Sequence, residues 1–129
     1  MAKVLIVEDE KMLAEMYKDK LEMEGIEADL VFSAEEAMDY LEERKIDHIS
    51  LILLDMLLPG ANGIEFLKKI RDIPELGNMP ILVFSNYDDP KTRKEAFDLG
   101  VKDYLIKANH TPNKIVQRVK ECLEEEGLG

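Results

Sequence analysis

The sequence is poor in the residues that build disulfides and zinc sites. Its 129 residues include one cysteine, Cys122, and two histidines. A lone cysteine cannot form an internal disulfide, which fits a reducing compartment, and the cysteine and histidines together are too few for a zinc site. The sequence therefore predicts neither a disulfide-stabilised secreted domain nor a zinc protein.

Long apolar runs are missing as well, and basic residues are in the minority. No stretch approaches the roughly 18 apolar residues of a transmembrane helix, and the N-terminus turns acidic before a signal-peptide core could form. The 28 acidic and 17 basic residues give a formal net charge of −11. This charge repels nucleic-acid phosphates. We expect a cytoplasmic protein with no membrane contact and no direct nucleic-acid contact, whose partners are metal cations or basic surfaces.

The remaining composition is that of one folded domain. Hydrophobic residues make up 46% of the chain and charged residues 35%, which is typical of a globular domain and not of a disordered chain. The length is close to the commonest size of one domain. We therefore expect a single domain over residues 1–129.

Five short apolar runs alternate with segments of helical period. Most runs lack polar alternation, as in strands that are covered on both faces of a parallel sheet. Asp89-Pro90 and Thr111-Pro112 each place a capping side chain before a helix-starting proline. The pattern predicts a (βα)5, doubly wound α/β sandwich, in which ligands bind beyond the carboxyl ends of the strands. The predicted strands are residues 4–7, 28–32, 51–54, 81–84 and 104–106.

Polar side chains follow four of these strands. Glu8 and Asp9 follow the first strand, Asp55 the third, Ser85 the fourth and Lys107 the fifth. In a parallel sheet these side chains share one rim. Converging carboxylates repel one another unless a hard divalent cation lies between them, and Mg²⁺ suits such a site. Lys107 and Ser85 could then hold the oxygens of a phosphoryl group.

Most of these residues also have a simpler interpretation. Asp9 could cap the first helix, Ser85 could belong to an ordinary turn, and Lys107 could be a solvated strand end. Asp55 is harder to explain in this way, because no helix starts after it and no basic residue is its neighbour in the sequence. The placement of all four residues at one rim favours a site for a cation and a phosphoryl group.

Four stretches also match, in order and spacing, the motifs of a known family. They are VLIVEDE at residues 4–10, LLDMLLPGANG at 53–63, VFS at 83–85 and GVKDYLIK at 100–107. Over essentially its full length the chain resembles the receiver domain of two-component response regulators, the CheY-like family. The resemblance implies a flavodoxin-like, CheY-like fold with a five-stranded parallel sheet in the order 2-1-3-4-5, forming a single receiver domain.

The resemblance also implies a magnesium site and a phosphoacceptor. Asp55 corresponds to the phosphoacceptor, and Glu8 and Asp9 correspond to the acidic pair that holds Mg²⁺, with Asp9 as a direct ligand. Asp55 and the backbone carbonyl of Leu57 would complete the protein's share of the coordination.

A switch and a set of partners follow from the same resemblance. Ser85 and Lys107 would contact the phosphoryl oxygens, and Tyr104 would change rotamer when Ser85 moves. The implied donor is a phosphohistidine of a sensor histidine kinase or a histidine phosphotransfer protein. The implied output is a conformational change on the face formed by the fourth helix, fifth strand and fifth helix.

That face would bind a downstream protein partner, an output domain or, in a phosphorylation-dependent dimer, a second copy of the chain. A basic patch of Lys91, Arg93 and Lys94 precedes Phe97 on the fourth helix. Such a domain catalyses its own phosphorylation and dephosphorylation. It is not expected to be an enzyme that turns over a separate substrate.

Two residues depart from the family pattern. Ala108 stands where the family often has a proline in a cis peptide, so the geometry of the Lys107–Ala108 bond stays open. Asn86 stands where a small residue is usual, and we expect its larger side chain to narrow access to the site.

Three alternatives share parts of this pattern. A flavodoxin-like mononucleotide binder would need a hydroxyl- and glycine-rich loop where Glu8-Asp9-Glu10 stands, and an aspartate-nucleophile phosphatase would need an aspartate in place of Leu57. A receiver-like interaction module that no longer uses phosphorylation remains open. Such a module would typically lack Asp55 or Lys107, and both are present.

Overall fold

The computed structural model describes residues 2–43 and 48–127, in which strands and helices alternate. The strands are β1 (Lys3–Val7), β2 (Glu27–Val31), β3 (Leu51–Leu54), β4 (Leu57–Leu58), β5 (Ala61–Asn62), β6 (Ile81–Ser85) and β7 (Asp103–Ile106). The α-helices are α1 (Lys11–Met23), α2 (Ala34–Glu43), α3 (Gly63–Asp72), α4 (Pro90–Asp98) and α5 (Pro112–Glu125). Short 3₁₀ turns cover Pro74–Leu76 and Lys107–Asn109.

Five of the strands form one parallel sheet in the order β2-β1-β3-β6-β7. In chain order these are the second, first, third, fourth and fifth strands of the sheet, so the expected order 2-1-3-4-5 is confirmed. The chain reverses its direction across the sheet between β1 and β3. This reversal is the place where open α/β sheets bind ligands.

The sheet has a buried core on each face because successive strand residues point to opposite sides. One core contains Leu5, Val7, Ile52 and Leu54 together with residues of α2, α3 and α4. The other contains Val4, Ile6, Leu51, Leu53 and Phe84 together with residues of α1 and α5. Both faces are covered, which explains why the strands read as continuous apolar runs.

The helix starts follow the capping signals of the sequence. The side chain of Asp89 accepts the Thr92 N–H at 3.0 Å, and the side chain of Thr111 accepts the Lys114 N–H at 3.2 Å. These bonds satisfy N–H groups that a helix leaves without an internal partner. Among the helices of the described ranges, none combines the length and apolar character needed to cross a membrane.

A small antiparallel hairpin, β4-β5, was not predicted from the sequence and lies directly after Asp55. Gly60 turns the hairpin with a φ of +65°, a backbone conformation that favours glycine. At its far end Gly63 packs against Met56. A Cβ atom on Gly63 would meet the Met56 Sδ at 2.7 Å and the Met56 Cα at 2.9 Å. The close packing of Gly63 against Met56 therefore restricts the backbone directly after Asp55.

This packing generates a prediction for the stability of the fold. Gly63→Ala should destabilise the protein by about 1–3 kcal/mol, because the added methyl group overlaps the backbone of Met56. Gly77→Ala is the matched control: the φ of Gly77 is −56°, and a Cβ there would come no closer than 3.7 Å to the atoms around it. The control should be neutral or stabilising by up to about 1 kcal/mol. Urea unfolding midpoints that are equal for the two variants would contradict the packing argument.

Candidate functional site

The acidic residues lie at the centre of the sheet, where the chain reverses direction. Glu8 and Asp9 directly follow β1, and Asp55 directly follows the neighbouring strand β3. The backbone N–H of Asp55 donates to the Val7 carbonyl at 3.0 Å, which continues the pairing of the two strands. Strand pairing thus sets the positions of the three carboxylates.

The Asp55 side chain is only 8% exposed and accepts three hydrogen bonds. The Ser85 hydroxyl donates to Oδ1 at 2.7 Å, and the backbone N–H of Leu57 donates to the same oxygen at 3.1 Å. The Lys107 Nζ donates to Oδ2 at 3.0 Å. Both carboxylate oxygens are therefore held in fixed directions at the edge of the sheet.

Lys107 bridges two buried carboxylates. Its Nζ also donates to Glu8, whose side chain is 1% exposed and whose other oxygen accepts the Glu10 N–H at 3.1 Å. Burial raises the pKa of Glu8 to about 7, against the lowering effect of Lys107, and the nearby charge of Asp55 adds to the rise. Burial alone would lower the pKa of Lys107, but its bonds to Glu8 and Asp55 outweigh burial and raise that pKa.

Glu8, Asp9 and Asp55 form a cluster in which one carboxylate oxygen from each lies within 4.8 Å of the others. Asp9 is the exposed member of the cluster. The alternative that Asp9 caps the first helix is wrong, because the N-cap of α1 is Glu10 and no side chain bonds there. Three carboxylates beside one ammonium group leave an excess of negative charge. Oxygen ligands at this spacing, with one open side, fit Mg²⁺.

Ser85 is connected to Tyr104 through the backbone of Tyr87. The Tyr87 N–H donates to the Ser85 Oγ at 3.2 Å, and the Tyr104 hydroxyl donates to the Tyr87 carbonyl at 2.6 Å. Tyr104 is buried, and burial raises its pKa to about 12. The guanidinium of Arg93 lies 5.4 Å from the centre of the Tyr104 ring. Hydrogen bonds therefore join the predicted switch residues through the backbone of Tyr87.

The two departures from the family pattern are in contact with each other. The side chain of Asn86 accepts the backbone N–H of Ala108 at 2.8 Å. Cis peptide bonds are absent from the described part of the chain, so the Lys107–Ala108 bond is trans. The sequence alone did not determine the geometry of this peptide bond. That Asn86 narrows access to the site remains a prediction.

The predicted basic patch on α4 is partly neutralised. Lys94 pairs with Asp98 on the same helix at 2.9 Å, and Arg93 lies over the rings of Phe97 and Tyr104. Phe97 is 41% exposed. Of the three predicted basic residues, Lys94 is thus paired with an acidic residue, and Arg93 keeps its charge beside two aromatic rings.

Several contacts at this rim were not predicted from the sequence. The Leu57 N–H donates to Asp55, the Asn86 side chain accepts the Ala108 N–H, and the Lys107 Nζ lies 4.7 Å from the centre of the buried Phe84 ring. A backbone donor carries no side-chain signal, and Phe84 reads as an ordinary core residue. The departure at Asn86 was the one visible signal.

The fold and the rim define a class of protein: a flavodoxin-like α/β domain that gathers carboxylates, a lysine and a hydroxyl at the carboxyl ends of its strands. The family model described as "Response regulator receiver domain" matches residues 4–120. The chain therefore belongs to the receiver domain family of two-component response regulators.

Individual relatives agree with this assignment. The chain is 36% identical to the phosphate regulon transcriptional regulatory protein PhoB of Rhizobium meliloti (strain 1021), a match that covers 94% of this chain and 52% of that protein. It is 32% identical to the transcriptional regulatory protein CpxR of Escherichia coli (strain K12), covering 95% of this chain and 50% of that protein. The chain thus spans about half the length of these relatives.

A solved structure gives the same result for the fold. The CheY-like response regulator receiver domain protein from Methanospirillum hungatei JF-1 superposes with a TM-score of 0.87 at 26% identity, covering 100% of this chain and 99% of that one. The expected CheY-like fold is confirmed.

The acidic cluster generates a prediction about Mg²⁺. Asp9→Asn should weaken Mg²⁺ binding by about tenfold or more, equivalent to about 1.4 kcal/mol, because it removes a charged ligand. The same change should raise the thermal midpoint without metal, because it removes repulsion within the cluster.

Calorimetric Mg²⁺ titration and thermal unfolding measure these two effects. Asp19→Asn, which removes the same charge from an exposed position of α1, is the matched control and should leave the affinity near that of the unmodified protein. An unchanged affinity in Asp9→Asn would contradict the assignment of the cation site.

Proposed function

We propose that this chain is the phosphoacceptor domain of a two-component system and that Asp55 receives the phosphoryl group. The supporting observation is the surroundings of Asp55: a buried carboxylate with a hydroxyl and an ammonium group on its oxygens and two further carboxylates beside it. This combination presents a nucleophile, a cation site and phosphoryl ligands at one point. We also assign residues 1–129 to one receiver domain, because the family model matches residues 4–120 and five of the strands form one parallel sheet with a core on each face.

The donor is a phosphohistidine of a sensor histidine kinase or a histidine phosphotransfer protein. A carboxylate oxygen of Asp55 attacks the phosphorus, a new P–O bond forms, and the P–N bond to the donor histidine breaks. The electron pair of that bond stays on the histidine nitrogen. The product is an aspartyl phosphate on this chain and a dephosphorylated donor.

The residues at the rim have two kinds of part in this step. Lys107 is free to move its ammonium group from the Asp55 oxygen to a phosphoryl oxygen, and the Ser85 hydroxyl can do the same. Mg²⁺, when bound, supplies positive charge that neutralises the phosphoryl oxygens. Glu8, Asp9, Asp55 and the backbone carbonyl of Leu57 would hold it.

Hydrolysis of the aspartyl phosphate completes the cycle. Water attacks the phosphorus of the aspartyl phosphate, the P–O bond to Asp55 breaks, and inorganic phosphate leaves while the Asp55 carboxylate is restored. Leu57 and Tyr87 are both partly exposed and line one cleft of about 280 Å³ together with Met56 and Thr92. We place the approach of water and of the donor at this cleft. The domain thus acts on its own carboxylate and turns over no separate substrate.

The signal leaves the site through Ser85. Moving the Ser85 hydroxyl to a phosphoryl oxygen alters its bond with the Tyr87 N–H, and the Tyr87 carbonyl holds the Tyr104 hydroxyl. Tyr104 contacts Arg93 on α4, so a changed Tyr104 rotamer alters the face formed by α4, β7 and α5. A protein partner, an output domain or a second copy of the chain would bind that face.

The names of the relatives suggest where such a signal ends. PhoB and CpxR are named as transcriptional regulatory proteins. We therefore propose that the downstream partner or output domain acts in transcription. The net charge of −11 supports a role for this chain in protein contacts and not in direct DNA contact.

Phosphorylation with a small donor tests the proposed function. Acetyl phosphate and Mg²⁺ should add one phosphoryl group to the protein, measured by intact mass, and Asp55→Asn should take up none. Asp88→Asn, which removes a carboxylate from the exposed loop after β6, is the matched control and should label like the unmodified protein. Removal of Mg²⁺ with a chelator should stop labelling.

Two results would overturn the proposal. Equal labelling of Asp55→Asn would place the phosphoryl group elsewhere. No labelling of the unmodified protein, by acetyl phosphate or by a phosphorylated histidine donor, would favour the alternative of an interaction module that no longer uses phosphorylation.

A further inference from the structure

Two loops meet beside the phosphoryl site. The first, residues 86–89, follows Ser85 at the end of β6, and the second begins with the 3₁₀ turn Lys107–Asn109 after β7. The hydrogen bond from the Ala108 N–H to the Asn86 Oδ1, 2.8 Å long, crosses from one loop to the other. It lies one residue after Ser85 on one side and one residue after Lys107 on the other.

This bond satisfies a donor that the turn itself cannot satisfy. The first N–H groups of a helical turn have no partner within the turn and are usually capped by the side chain at the N-cap. Here the N-cap is Ile106, whose apolar side chain makes no such bond. Asn86 therefore supplies the cap from the neighbouring loop.

The bond also ties down the residue that carries the ammonium group. Lys107 must reach Glu8 and Asp55 at once, and its Nζ lies beside the Phe84 ring. A lysine side chain is long and flexible, so the position of its backbone decides how often the ammonium group occupies this place. The Asn86 bond holds that backbone at Ala108, the next residue in the chain.

Two hydrogen bonds hold the first loop in place, so this loop can anchor the turn that contains Lys107. Tyr87 donates its N–H to the Ser85 Oγ and accepts the Tyr104 hydroxyl with its carbonyl. Asn86 stands between Ser85 and Tyr87 in the chain. A bond from this loop therefore fixes the Lys107 turn relative to Ser85.

We propose that Asn86 is a positioning residue for Lys107: by accepting the Ala108 N–H, its side chain holds the Lys107 turn at the distance from Ser85 that phosphoryl transfer to Asp55 requires. This inference rests on the proposed function. The two residues that depart from the family pattern, Asn86 and Ala108, are then a matched acceptor and donor, since a proline at position 108 would have no N–H to donate.

A positioning role for Asn86 and the narrowed access that the sequence predicts have opposite effects on the rate of phosphorylation. If Asn86 only narrows access to Asp55, shortening its side chain speeds phosphorylation. If Asn86 positions Lys107, losing the acceptor slows phosphorylation whether the new side chain is small or large. Asn86→Ala removes both the bulk and the acceptor, and Asn86→Leu removes the acceptor while keeping the bulk.

The experiment measures the rate of labelling by acetyl phosphate at saturating Mg²⁺, by intact mass. Asn86→Ala and Asn86→Leu should both be slower than the unmodified protein by about three- to tenfold, the factor by which the loss of one hydrogen bond would lower the fraction of molecules with Lys107 in place. Asn109→Ala makes the same kind of change in the same turn, at an exposed residue whose side chain makes no hydrogen bond among the described residues. Its rate should stay within about twofold of the unmodified protein.

A spectroscopic measurement separates positioning from a general loss of structure. Amide hydrogen exchange at Ala108, followed by NMR, should become faster in Asn86→Ala and Asn86→Leu. In Asn86→Asp, which keeps the acceptor, exchange at Ala108 should stay slow. The thermal midpoints of the variants should stay close to that of the unmodified protein, because Asn86 and Ala108 are both exposed.

Each other outcome decides against the proposal. A faster rate in Asn86→Ala with an unchanged rate in Asn86→Leu would show that Asn86 obstructs the site. Unchanged rates in both variants would show that the bond does not position Lys107. Asp55→Asn, labelled in parallel, keeps the two hypotheses apart: if that variant takes up phosphoryl groups, the proposed function fails, whatever the Asn86 variants do.

Discussion

The ammonium group of Lys107 lies between the buried carboxylates of Glu8 and Asp55, and the rest of the rim depends on this placement. Two carboxylates removed from water repel each other and need a cation and hydrogen-bond donors close by. Lys107 supplies the cation, and the Ser85 hydroxyl with the Leu57 N–H supplies the donors to Asp55. The parallel sheet makes this possible, because β1, β3, β6 and β7 all end at one edge.

The same arrangement prepares the site for the chemistry we propose. Lys107 and Ser85 already contact the Asp55 oxygens, so a phosphoryl group on Asp55 meets both donors within a short movement. Asp9 adds a third carboxylate and with it an excess of negative charge that a divalent cation can relieve. Ser85 is also bonded to Tyr87, and Tyr87 to Tyr104, so the proposed signal from a phosphoryl group to α4 would use contacts that already exist.

The sequence predicted the parts that depend on local pattern and on topology. Apolar runs located the five strands of the sheet to within one residue at each end, and parallel pairing then implied that Glu8, Asp55 and Lys107 share a rim. The sequence could not predict the ion pair of Lys107 with Glu8, because these residues are 99 positions apart and only side-chain geometry brings them together. The sequence did not predict the hairpin β4-β5, because strands of two residues are too short to show a hydrophobic periodicity. The trans Lys107–Ala108 bond and its partner Asn86 depend on how two loops meet, which no local pattern records.

The most direct test of this account is an NMR comparison of the protein before and after phosphorylation of Asp55. We expect the amide shifts of Ser85, Tyr87, Tyr104 and Lys107 to change together, and those of α4 to change with them. Residues at the C-terminal end of α1, on the other face of the sheet, should keep their shifts. Changes confined to residues 54–57, next to Asp55 in the sequence, with residues 85–107 unaffected, would contradict the claim that the rim contacts carry the signal.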